Sequence, residues 1–452
     1  MRKYLHLLAA FLPLIAMAQN ETKPLETVYQ KKAFELFSQV AEEVPDNICF
    51  SPLSVQMVMS MVQNGAAGNT LSQMQEALGT TGYSNDEVNA FNQKLEETIT
   101  YRPTFNYNPK SWQSEEEQRN DYNAAYPICE LANGIWTRPG TTWHEQFLQT
   151  MRECYKAGIG TVDFTSQEGI DEINGWVNDK THGMIPNILD GPLSPDLAML
   201  LADALYFKGS WSVPFDPDLT KAGIFHNADG TDVQTDMMRV TDYFRIGKTD
   251  KFLTLNLYYG NYDFSMTIFL PTEGITLPDL TYDEWKKAFD NKEYFTNTKL
   301  QMPSFVVEDK YNLNDVLGRM GMVDAFDASI ADFSNMYDNP LSIDKVFQCS
   351  KIAVDEKGTE AAAVTVVAMT SGGSQEKPKD FIIDRPFYFT IEHRNTGSVL
   401  FVGRISQLQG TASITPLTIE KKQGAIYDLQ GRLLNGIPQK GVYIQNGRKR
   451  VK

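Results

Sequence analysis

Cysteine is scarce in this 452-residue chain, which contains Cys49, Cys129, Cys154 and Cys349. The four residues lie far apart in sequence and form neither a C-x-x-C pair nor a zinc-ligand pattern, which argues against a disulfide-rich scaffold and a zinc site. Four cysteines allow up to two disulfides, but free thiols buried in a core are the favoured interpretation.

The chain also lacks a long apolar run outside its N-terminus. The first eighteen residues, MRKYLHLLAAFLPLIAMA, combine two basic residues with an apolar run over 7–15 and a small-x-small triplet at 16–18. This pattern predicts a secretory signal peptide over 1–18 that is cut before Gln19. No later stretch approaches the roughly 20 apolar residues that a membrane-spanning helix needs. We therefore expect an exported protein, secreted or at the cell surface, without a membrane span.

Sequence motifs of common enzymes are missing as well. There is no GxSxG nucleophile elbow, no HExxH zinc motif, no Walker loop and no Rossmann glycine fingerprint. Four histidines follow the signal peptide in unrelated settings, and an isolated histidine is more often a surface residue than a catalytic base. The sequence therefore predicts no catalytic residues, no metal site and no cofactor, and the protein is not expected to be an enzyme.

Positive charge is limited. The chain carries 41 basic and 57 acidic residues, a net charge of −16. The tail 411–452 holds eight basic and two acidic residues, which leaves residues 19–410 with a net charge of −24. Such a body repels nucleic acid and anionic membranes, so neither is an expected partner.

Helical periodicity is clear in three segments. Residues 27–44 place apolar side chains on one face and end before Pro45. Residues 53–62 are nearly all apolar, so this helix must be buried. Residues 168–185 carry one apolar face, as expected of a surface helix that lies on a sheet.

Strand patterns occur between and after these helices. Residues 252–270 contain two alternating runs joined at Gly260-Asn261, which predicts a hairpin. Residues 387–391 and 399–405 are predicted to be buried strands joined by a turn at 395–397. Helices and strands mix without a regular βαβ order, which predicts an α+β fold rather than a doubly wound sheet.

Two segments differ from the rest of the chain. Residues 101–127 are polar, rich in Asn and Tyr, and are predicted to be a surface loop. The basic tail 411–452 follows the last predicted strand. Residues 19–410 are compatible with one large sheet-rich domain.

Residues 355–374 read DEKGTEAAAVTVVAMTSGGS. The stretch alternates as a strand does, but Ala, Thr and Val stand where core strands usually carry Ile, Leu or Phe. No proline occurs between Thr359 and Gln375, so every residue keeps the N–H donor that a ladder requires. A strand permanently at a sheet edge is one interpretation, but the small side chains and the Gly372-Gly373 pair favour a segment that is exposed and able to enter a sheet.

Several motifs, taken in chain order, resemble those of the serpin family. The resemblance covers roughly residues 27–408 and rests on these segments: NICFSPLSV, GWVNDKTHGMI, ADALYFKGSWSVPF, FVVEDKYNLNDVLGRMGMVDAF, DEKGTEAAAVT and DRPFYFTIEHRNTGSVLFVGRI. It implies three β-sheets, about eight or nine helices and an exposed reactive loop from about Gly358 to Asp384.

The resemblance also implies an activity. A target serine protease would attack the reactive loop, form a covalent acyl-enzyme, and be trapped as the cleaved loop inserts into the central sheet. The partner would be that protease, and the inhibitor would be a monomer. The alternative is a non-inhibitory serpin that acts as a binding or structural protein.

Site residues follow from the resemblance. The loop hinge would comprise Glu356, Gly358, Thr359, Ala361, Ala363 and Thr365. The shutter and breach beneath it would comprise Ser51, Ser54, Asp203, Gln348 and Trp176. If the loop becomes a central strand, the inward side chains are Thr359, Ala361, Ala363, Thr365 and Val367, all small or β-branched, whereas Glu360 points outward.

The cleaved bond has several candidates. Counting from Gly358 gives Gly372 followed by Gly373, whereas counting back from Pro386 leads to Gln375. Because glycine offers a protease pocket little to bind, cleavage after a neighbouring residue, Met369, Thr370 or Ser371, is an alternative. These residues suit elastase-like or subtilisin-like serine proteases, ahead of a cysteine protease and of a trypsin-like enzyme acting at Lys377.

Three departures from the family pattern bear on the mechanism. Asp203 and Gln348 stand where many members have Asn and His, and an Asp–Gln pair would still provide a donor and an acceptor. Ser304 stands where a lysine often pairs with the hinge acid, so Glu356 lacks that partner and the loop is expected to insert readily.

The tail resembles the C-terminal sorting segment of exported Bacteroidetes proteins through AIYDLQGRLLNGIPQKGVYIQNGRKRVK. Surface delivery or processing at the tail is one interpretation. A small strand-rich appendage with a basic end is the other.

Overall fold

The computed structural model describes residues 24–195, 197–291, 295–359 and 377–410, together with the backbone of four short strands between residues 426 and 451. The predicted signal peptide lies outside the described residues. In this described part of the chain, no helix is both long enough and apolar enough to cross a membrane.

Nine α-helices occur in the described residues: α1 (Leu25–Glu43), α2 (Pro52–Gln63), α3 (Gly68–Leu78), α4 (Asn85–Ile99), α5 (Glu115–Ala125), α6 (Glu145–Tyr155), α7 (Gln167–Lys180), α8 (Tyr282–Phe289) and α9 (Asn314–Arg319). Two short 3-10 helices cover Pro217–Leu219 and Asp324–Phe326. The helices predicted over 27–44, 53–62 and 168–185 correspond to α1, α2 and α7.

Helix α2 is the most deeply buried of these helices. Ser51 caps its N-terminus by accepting a hydrogen bond from the Ser54 N–H, and Pro52 occupies the first turn, where a missing N–H costs nothing. All twelve residues of α2 are buried, as its nearly continuous apolar sequence predicts.

Helix α7 ends five residues before the predicted boundary. The Thr181 hydroxyl donates to the Val177 carbonyl at 2.8 Å and accepts from the Ile185 N–H at 3.0 Å. His182 and Gly183 then adopt left-handed conformations, with φ of +51° and +83°. These local bonds replace the helical ladder and turn the chain away.

The strands of the main body are β1 (Ile48–Phe50), β2 (Ile128–Thr137), β3 (Gly158–Thr161), β4 (Met199–Ser210), β5 (Lys221–His226), β6 (Asp232–Lys248), β7 (Phe252–Tyr259), β8 (Phe264–Pro271), β9 (Phe295–Pro303), β10 (Phe305–Asn312), β11 (Lys345–Asp355), β12 (Gly358–Thr359), β13 (Lys379–Ile382), β14 (Phe387–His393) and β15 (Ser398–Ile405). The predicted hairpins over 252–270 and 387–405 are confirmed as β7–β8 and β14–β15.

A nine-stranded sheet runs in the order β1-β15-β14-β8-β7-β6-β9-β13, with β5 also paired to β6. Strand β6 has 17 residues, of which the last four pair with β7 and the earlier ones with β5 and β9. Through β6, the strands of two of the three sheets that the resemblance implied are therefore joined into this single nine-stranded sheet.

A six-stranded sheet, in the order β10-β11-β12-β4-β2-β3, forms the centre of the molecule. Alternate residues of β4 face opposite sides: Leu201 lies in the core with α2, whereas Ala202 and Ala204 pack with α7. Both faces are covered, which accounts for the continuous apolar sequence of β4. This mixture of helices with mostly antiparallel sheets confirms the α+β prediction.

The tail contains a separate antiparallel sheet of four short strands, β16 (Ile426–Tyr427), β17 (Leu433–Leu434), β18 (Val442–Gln445) and β19 (Arg448–Val451). This agrees with the interpretation of a strand-rich appendage. The sorting role stays a prediction.

The prediction of a surface loop over 101–127 is wrong for the second half of this segment, where α5 forms. Ser114 and Glu117 make a capping box: the Glu117 N–H donates to Ser114 Oγ at 3.2 Å, and the Ser114 N–H donates to Glu117 Oε2 at 2.7 Å. The acidic run 115–117 also suits the positive end of the helix dipole. None of the residues of α5 is buried, so the surface location was predicted correctly.

All four cysteines are free thiols, as predicted. Cys49, Cys129 and Cys349 are buried and Cys154 is half-buried. Burial raises the pKa of the Cys349 thiol to about 12, so this thiol is protonated and unreactive at neutral pH.

Candidate functional site

The hinge segment begins with a two-residue turn between β11 and β12. The Asp355 carboxylate accepts hydrogen bonds from the N–H groups of Lys357 at 2.8 Å and of Gly358 at 3.1 Å. Gly358 has a φ of +156°, a conformation that residues with a Cβ rarely adopt. The D-E-K-G sequence therefore reverses the chain and directs it back along β11.

Gly358 and Thr359 lie between β11 and β4, as the short strand β12. Thr359 is opposite Val354 on β11 and Gly209 on β4, and both pairings are antiparallel. Thr359 has no exposed surface. The expectation that the loop is exposed from Gly358 onward is therefore wrong for its first two residues, which are already part of the sheet.

Strands β11 and β4 do not pair with each other at this end of the sheet. Their parallel ladder runs from Lys345–Leu200 to Cys349–Ala204. Residues 350–353 of β11 and 205–208 of β4 have no register partner in each other within the described residues. These two strands are thus paired over the half that lies away from the hinge and are parted beside Thr359.

The segment after β4 holds the turn in place. The Trp211 backbone N–H donates to the Lys357 carbonyl at 2.8 Å, and its indole Nε1–H donates to the Asp355 carbonyl at 3.0 Å. The Phe215 N–H donates to the Glu356 carbonyl at 2.8 Å. The carbonyl groups of the last β11 residue and of both turn residues are therefore each satisfied by the segment 211–215.

The hinge acid has a neutral partner in place of a lysine. Glu356 Oε1 accepts a hydrogen bond from the Thr220 hydroxyl at 2.7 Å. Ser304, which stands where the family often has lysine, uses its N–H to bond the Asp236 carbonyl. The Thr220 hydroxyl therefore satisfies Glu356 without the attraction of an ion pair.

Tyr259, at the end of β7, contacts the hinge directly. Its hydroxyl and the Thr359 Oγ1 are hydrogen-bonded at 2.6 Å, in a fully buried position. The ring stacks on Trp211 with a centroid distance of 4.4 Å. The side chain of Thr359 is therefore held by the nine-stranded sheet as well as by the six-stranded one.

The predicted shutter residues Ser51, Ser54 and Gln348 meet where α2 begins beneath the six-stranded sheet. Gln348 Nε2 donates to the Ser51 carbonyl at 2.5 Å and to Ser54 Oγ at 3.1 Å. All three side chains are buried. The structure thus brings these residues together as predicted.

Asp203 lies in the same layer but lacks the predicted contact with Gln348. The two residues are register partners on β4 and β11, and Asn133 on β2 is the other neighbour of Asp203. Within the described residues, neither carboxyl oxygen of Asp203, nor Oε1 of Gln348, nor Oδ1 of Asn133 has a hydrogen-bond partner. The Ser54 hydroxyl donates to the Ser51 carbonyl at 3.1 Å instead. The donor–acceptor contact that an Asp–Gln pair could have preserved does not form, because the Gln348 amide donates to the Ser51 carbonyl and to Ser54 Oγ.

Burial raises the pKa of the Asp203 carboxyl to about 8. A carboxyl group in the unfolded chain loses its proton near pH 4. Between these values the folded state holds one more proton than the unfolded state, so native stability falls as the pH rises. At neutral pH the buried carboxyl is largely protonated.

The assignment of Trp176 to the shutter and breach is wrong. Its side chain belongs to α7, which packs on the face of the sheet opposite α2. The Trp176 ring lies edge-on to Trp136, with a centroid distance of 4.9 Å. The tryptophan at the hinge is Trp211. It lies in the YFKGSW motif, but the sequence analysis did not identify it as a hinge residue.

Tyr259 is a second hinge residue that the sequence analysis missed. It is the last residue of β7, and no local pattern distinguishes it from the neighbouring Tyr258. Its contact with Thr359, 100 positions later, depends on how the two sheets pack.

The other predicted loop residues lie outside the described residues. They are the hinge residues Ala361, Ala363 and Thr365 and the cleavage candidates Met369, Thr370, Ser371, Gly372 and Gly373. The predicted end of the loop at Asp384 is too late, because Lys379–Ile382 already form β13, which pairs with β9.

Replacing Asp203 with Asn tests the account of the shutter. The Asn amide keeps the shape, cannot ionise, and supplies donors for the unsatisfied Gln348 Oε1. We expect D203N to stabilise the native state by about 1–3 kcal/mol at pH 9, and by less at pH 6, where Asp203 is protonated. Thermal unfolding between pH 6 and 9 measures this.

The matched control is D216N, which changes an exposed aspartate and should leave the pH profile unaltered. A D203N variant that is no more stable than the parent at pH 9, or that keeps the parent's pH profile, would contradict the account.

Comparison with known proteins places these observations in a family. The sequence model of the Serpin family, described as serine protease inhibitors, matches residues 28–408. Serpin B8 of Homo sapiens is 33% identical over 388 residues, which cover 83% of this chain and 96% of the human protein. A serpin-like protein of Methanosarcina mazei is 31% identical over 393 residues, which cover 82% of this chain and 85% of the relative.

Among solved structures, the native state of the thermophilic serpin Tengpin has a TM-score of 0.73 and 28% identity, covering 85% of this chain and 94% of that one. The serpin fold is therefore confirmed for this α+β chain. The family is described as one of protease inhibitors rather than catalysts, although some members do not inhibit proteases. The chain belongs to the serpin family of serine protease inhibitors.

Proposed function

We propose that this serpin is a suicide-substrate inhibitor of serine proteases, which traps the acyl-enzyme by inserting its cleaved reactive loop between β4 and β11. The observation that carries the proposal is the position of Thr359. It is buried and paired with both strands, and beside it the two strands are not paired with each other over 205–208 and 350–353.

The small residues that follow Thr359 in the sequence fit the positions that they would occupy between β4 and β11. If the register of β12 continues, Ala361 would lie opposite Phe207 and Ala363 opposite Leu205, on the side where those two large residues belong to the core. Because Phe207 and Leu205 already fill this layer, alanine and threonine can enter it without displacing neighbours. Charged or bulky side chains on this phase would stop the insertion.

Insertion beyond Ala363 requires β4 and β11 to separate where they are still paired, at Leu200–Ala204 and Lys345–Cys349. The unsatisfied polar atoms of Asp203 and Gln348 lie within this ladder, and each buried unsatisfied group costs about 1–3 kcal/mol. The ladder is therefore weakened at the point where it has to open. An inserted strand would replace it with hydrogen bonds on both sides.

The proposed targets are proteases with shallow primary pockets. Met369, Thr370 and Ser371, followed by Gly372-Gly373, offer small or uncharged side chains at the expected cleavage point. Elastase-like and subtilisin-like serine proteases accept such residues, and a cysteine protease is the next candidate. Each would form a covalent bond to the loop residue before the cleaved bond.

Replacing Thr359 with Arg is expected to convert the inhibitor into a substrate. The guanidinium would have to be buried without a partner, which costs several kcal/mol, so insertion would be slower than hydrolysis of the acyl-enzyme. We expect at least a ~10-fold smaller yield of the protease complex on a denaturing gel, with a matching increase in cleaved chain.

The matched control is E360R, which places the same side chain at the next position. Because alternate residues of a strand face opposite sides, this variant should still trap the protease. The assay uses elastase-like, subtilisin-like, trypsin-like and papain-like enzymes, and the first residue of the released fragment identifies the cleaved bond. Cleavage by every enzyme without a stable complex would contradict inhibition and favour a non-inhibitory serpin.

We also propose that the protein is exported, on the basis of the signal-peptide pattern over 1–18. Intact-mass measurement of the protein recovered outside the cell should give a chain that begins at Gln19. Its C-terminus separates the two interpretations of the tail, because loss of residues after 410 would indicate processing. A chain that retains Met1 would contradict the proposed export.

A further inference from the structure

We infer that the 101–126 segment is a positioning element for the hinge: helix α5 braces the turn between β7 and β8, and this turn holds Tyr259 against Thr359. The segment lies outside the motifs that resemble other serpins. Its consequence for trapping rests on the proposed inhibitory function, whereas its effect on the hinge does not.

The two halves of the segment contact each other, so a displacement of one half would also displace the other. The Tyr122 hydroxyl donates to the Pro103 carbonyl at 2.6 Å, and the Arg102 guanidinium lies 4.9 Å from the centre of the Tyr122 ring. The Arg119 guanidinium stacks on Phe105 at 4.4 Å. These contacts join the extended first half of the segment to α5.

The C-terminus of α5 is in direct contact with the β7–β8 turn. The Asn261 N–H donates to the Ala125 carbonyl at 2.7 Å, which satisfies one of the carbonyl groups left open at a helix end. At Gly260 a Cβ would lie 2.4 Å from the Ala125 oxygen and 2.6 Å from the Ala124 oxygen. Only glycine at 260 allows this close approach.

The turn itself is strained, so its position depends on its neighbours. Tyr262 has a φ of +72°, and such a conformation in a bulky residue persists only where the surroundings enforce it. On one side α5 contacts the turn. On the other, Arg394 donates to the Tyr262 carbonyl at 2.6 Å.

From the turn, the contacts continue to the hinge without interruption. The Gly260 N–H donates to the carbonyl of Ser210 at 2.9 Å, and Ser210 is the residue of β4 that pairs with Gly358. The adjacent Tyr259 is fully buried, stacks on Trp211, and hydrogen-bonds Thr359. A shift of α5 would therefore move the residue that holds the first inserted side chain.

Pairing of the hinge in the sheet before cleavage favours trapping of the protease over its release by hydrolysis. The first ladder bonds of the new strand exist before cleavage, so insertion extends a strand and does not have to start one. If the brace is loosened, Thr359 should leave the sheet more often, insertion should start later, and more protease should complete hydrolysis.

Hydrogen–deuterium exchange at the Gly358 and Thr359 amides tests the brace in the protein alone. Ala125→Pro disrupts the last turn of α5, and Tyr259→Phe removes the hydroxyl that bonds Thr359. Loss of one hydrogen bond corresponds to roughly five-fold faster exchange, and we expect at least this from each variant. The double variant should exchange no faster than the faster single variant, because both act through one contact.

Trp112→Ala is the matched control, because Trp112 lies in the same segment but is 89% exposed. The hinge amides of this variant should exchange at the same rate as those of the parent. If A125P fails to fold, the double substitution S114A/E117A, which removes the capping box of α5, replaces it. The inference would be overturned if the hinge amides of the α5 variant exchanged at the parent rate. It would also be overturned if the effects of the two single substitutions on exchange were additive in the double variant.

The protease assay separates this inference from the proposed function. In the variants, more inhibitor should be consumed per protease trapped. Failure of the parent to trap any protease contradicts the proposed function alone, whereas unchanged hinge exchange contradicts the brace alone.

Discussion

The structure depends on an incomplete hydrogen-bond ladder between two parallel strands. Strands β4 and β11 are paired over five residues in the half away from the hinge and are separated at the hinge end by two residues of a third strand. A central sheet normally satisfies its backbone donors and acceptors along its full length. Here part of each strand's pairing is supplied by β12, and this links the stability of the native state to the position of Gly358 and Thr359.

Two features of the surroundings set how easily that segment advances. The ladder still to be opened contains the buried Asp203 carboxyl and the Gln348 amide oxygen, which have no hydrogen-bond partner among the described residues, and this lowers the cost of separating the strands. The hinge turn, in contrast, is held by Trp211, Phe215 and Tyr259. In the proposed mechanism, a weakened ladder and a firmly positioned starting point would together favour rapid insertion in one direction after cleavage, as trapping of a short-lived acyl-enzyme requires.

Much of this arrangement could be predicted from the sequence, because the relevant signals are local or belong to motifs. The apolar run of α2, the β7–β8 hairpin and the small residues of the hinge all depend on neighbouring positions. The contacts that were missed are long-range. Tyr259 meets Thr359 only because two sheets pack together, and Gln348 turns away from Asp203 because α2 supplies a carbonyl acceptor. Helix α5 is the exception, since its S-x-x-E start signal is local and was outweighed by the polar composition of the segment.

The most direct test of the central claim is the thermal stability of the protein before and after a single cut in the loop. A protease that is not trapped can be used in catalytic amount, and the cut located between residues 366 and 376 by N-terminal sequencing. Insertion would add a strand that is hydrogen-bonded on both sides, so we expect the midpoint of thermal unfolding to rise by more than about 10 °C. An unchanged or lower midpoint in the cut protein would contradict insertion between β4 and β11.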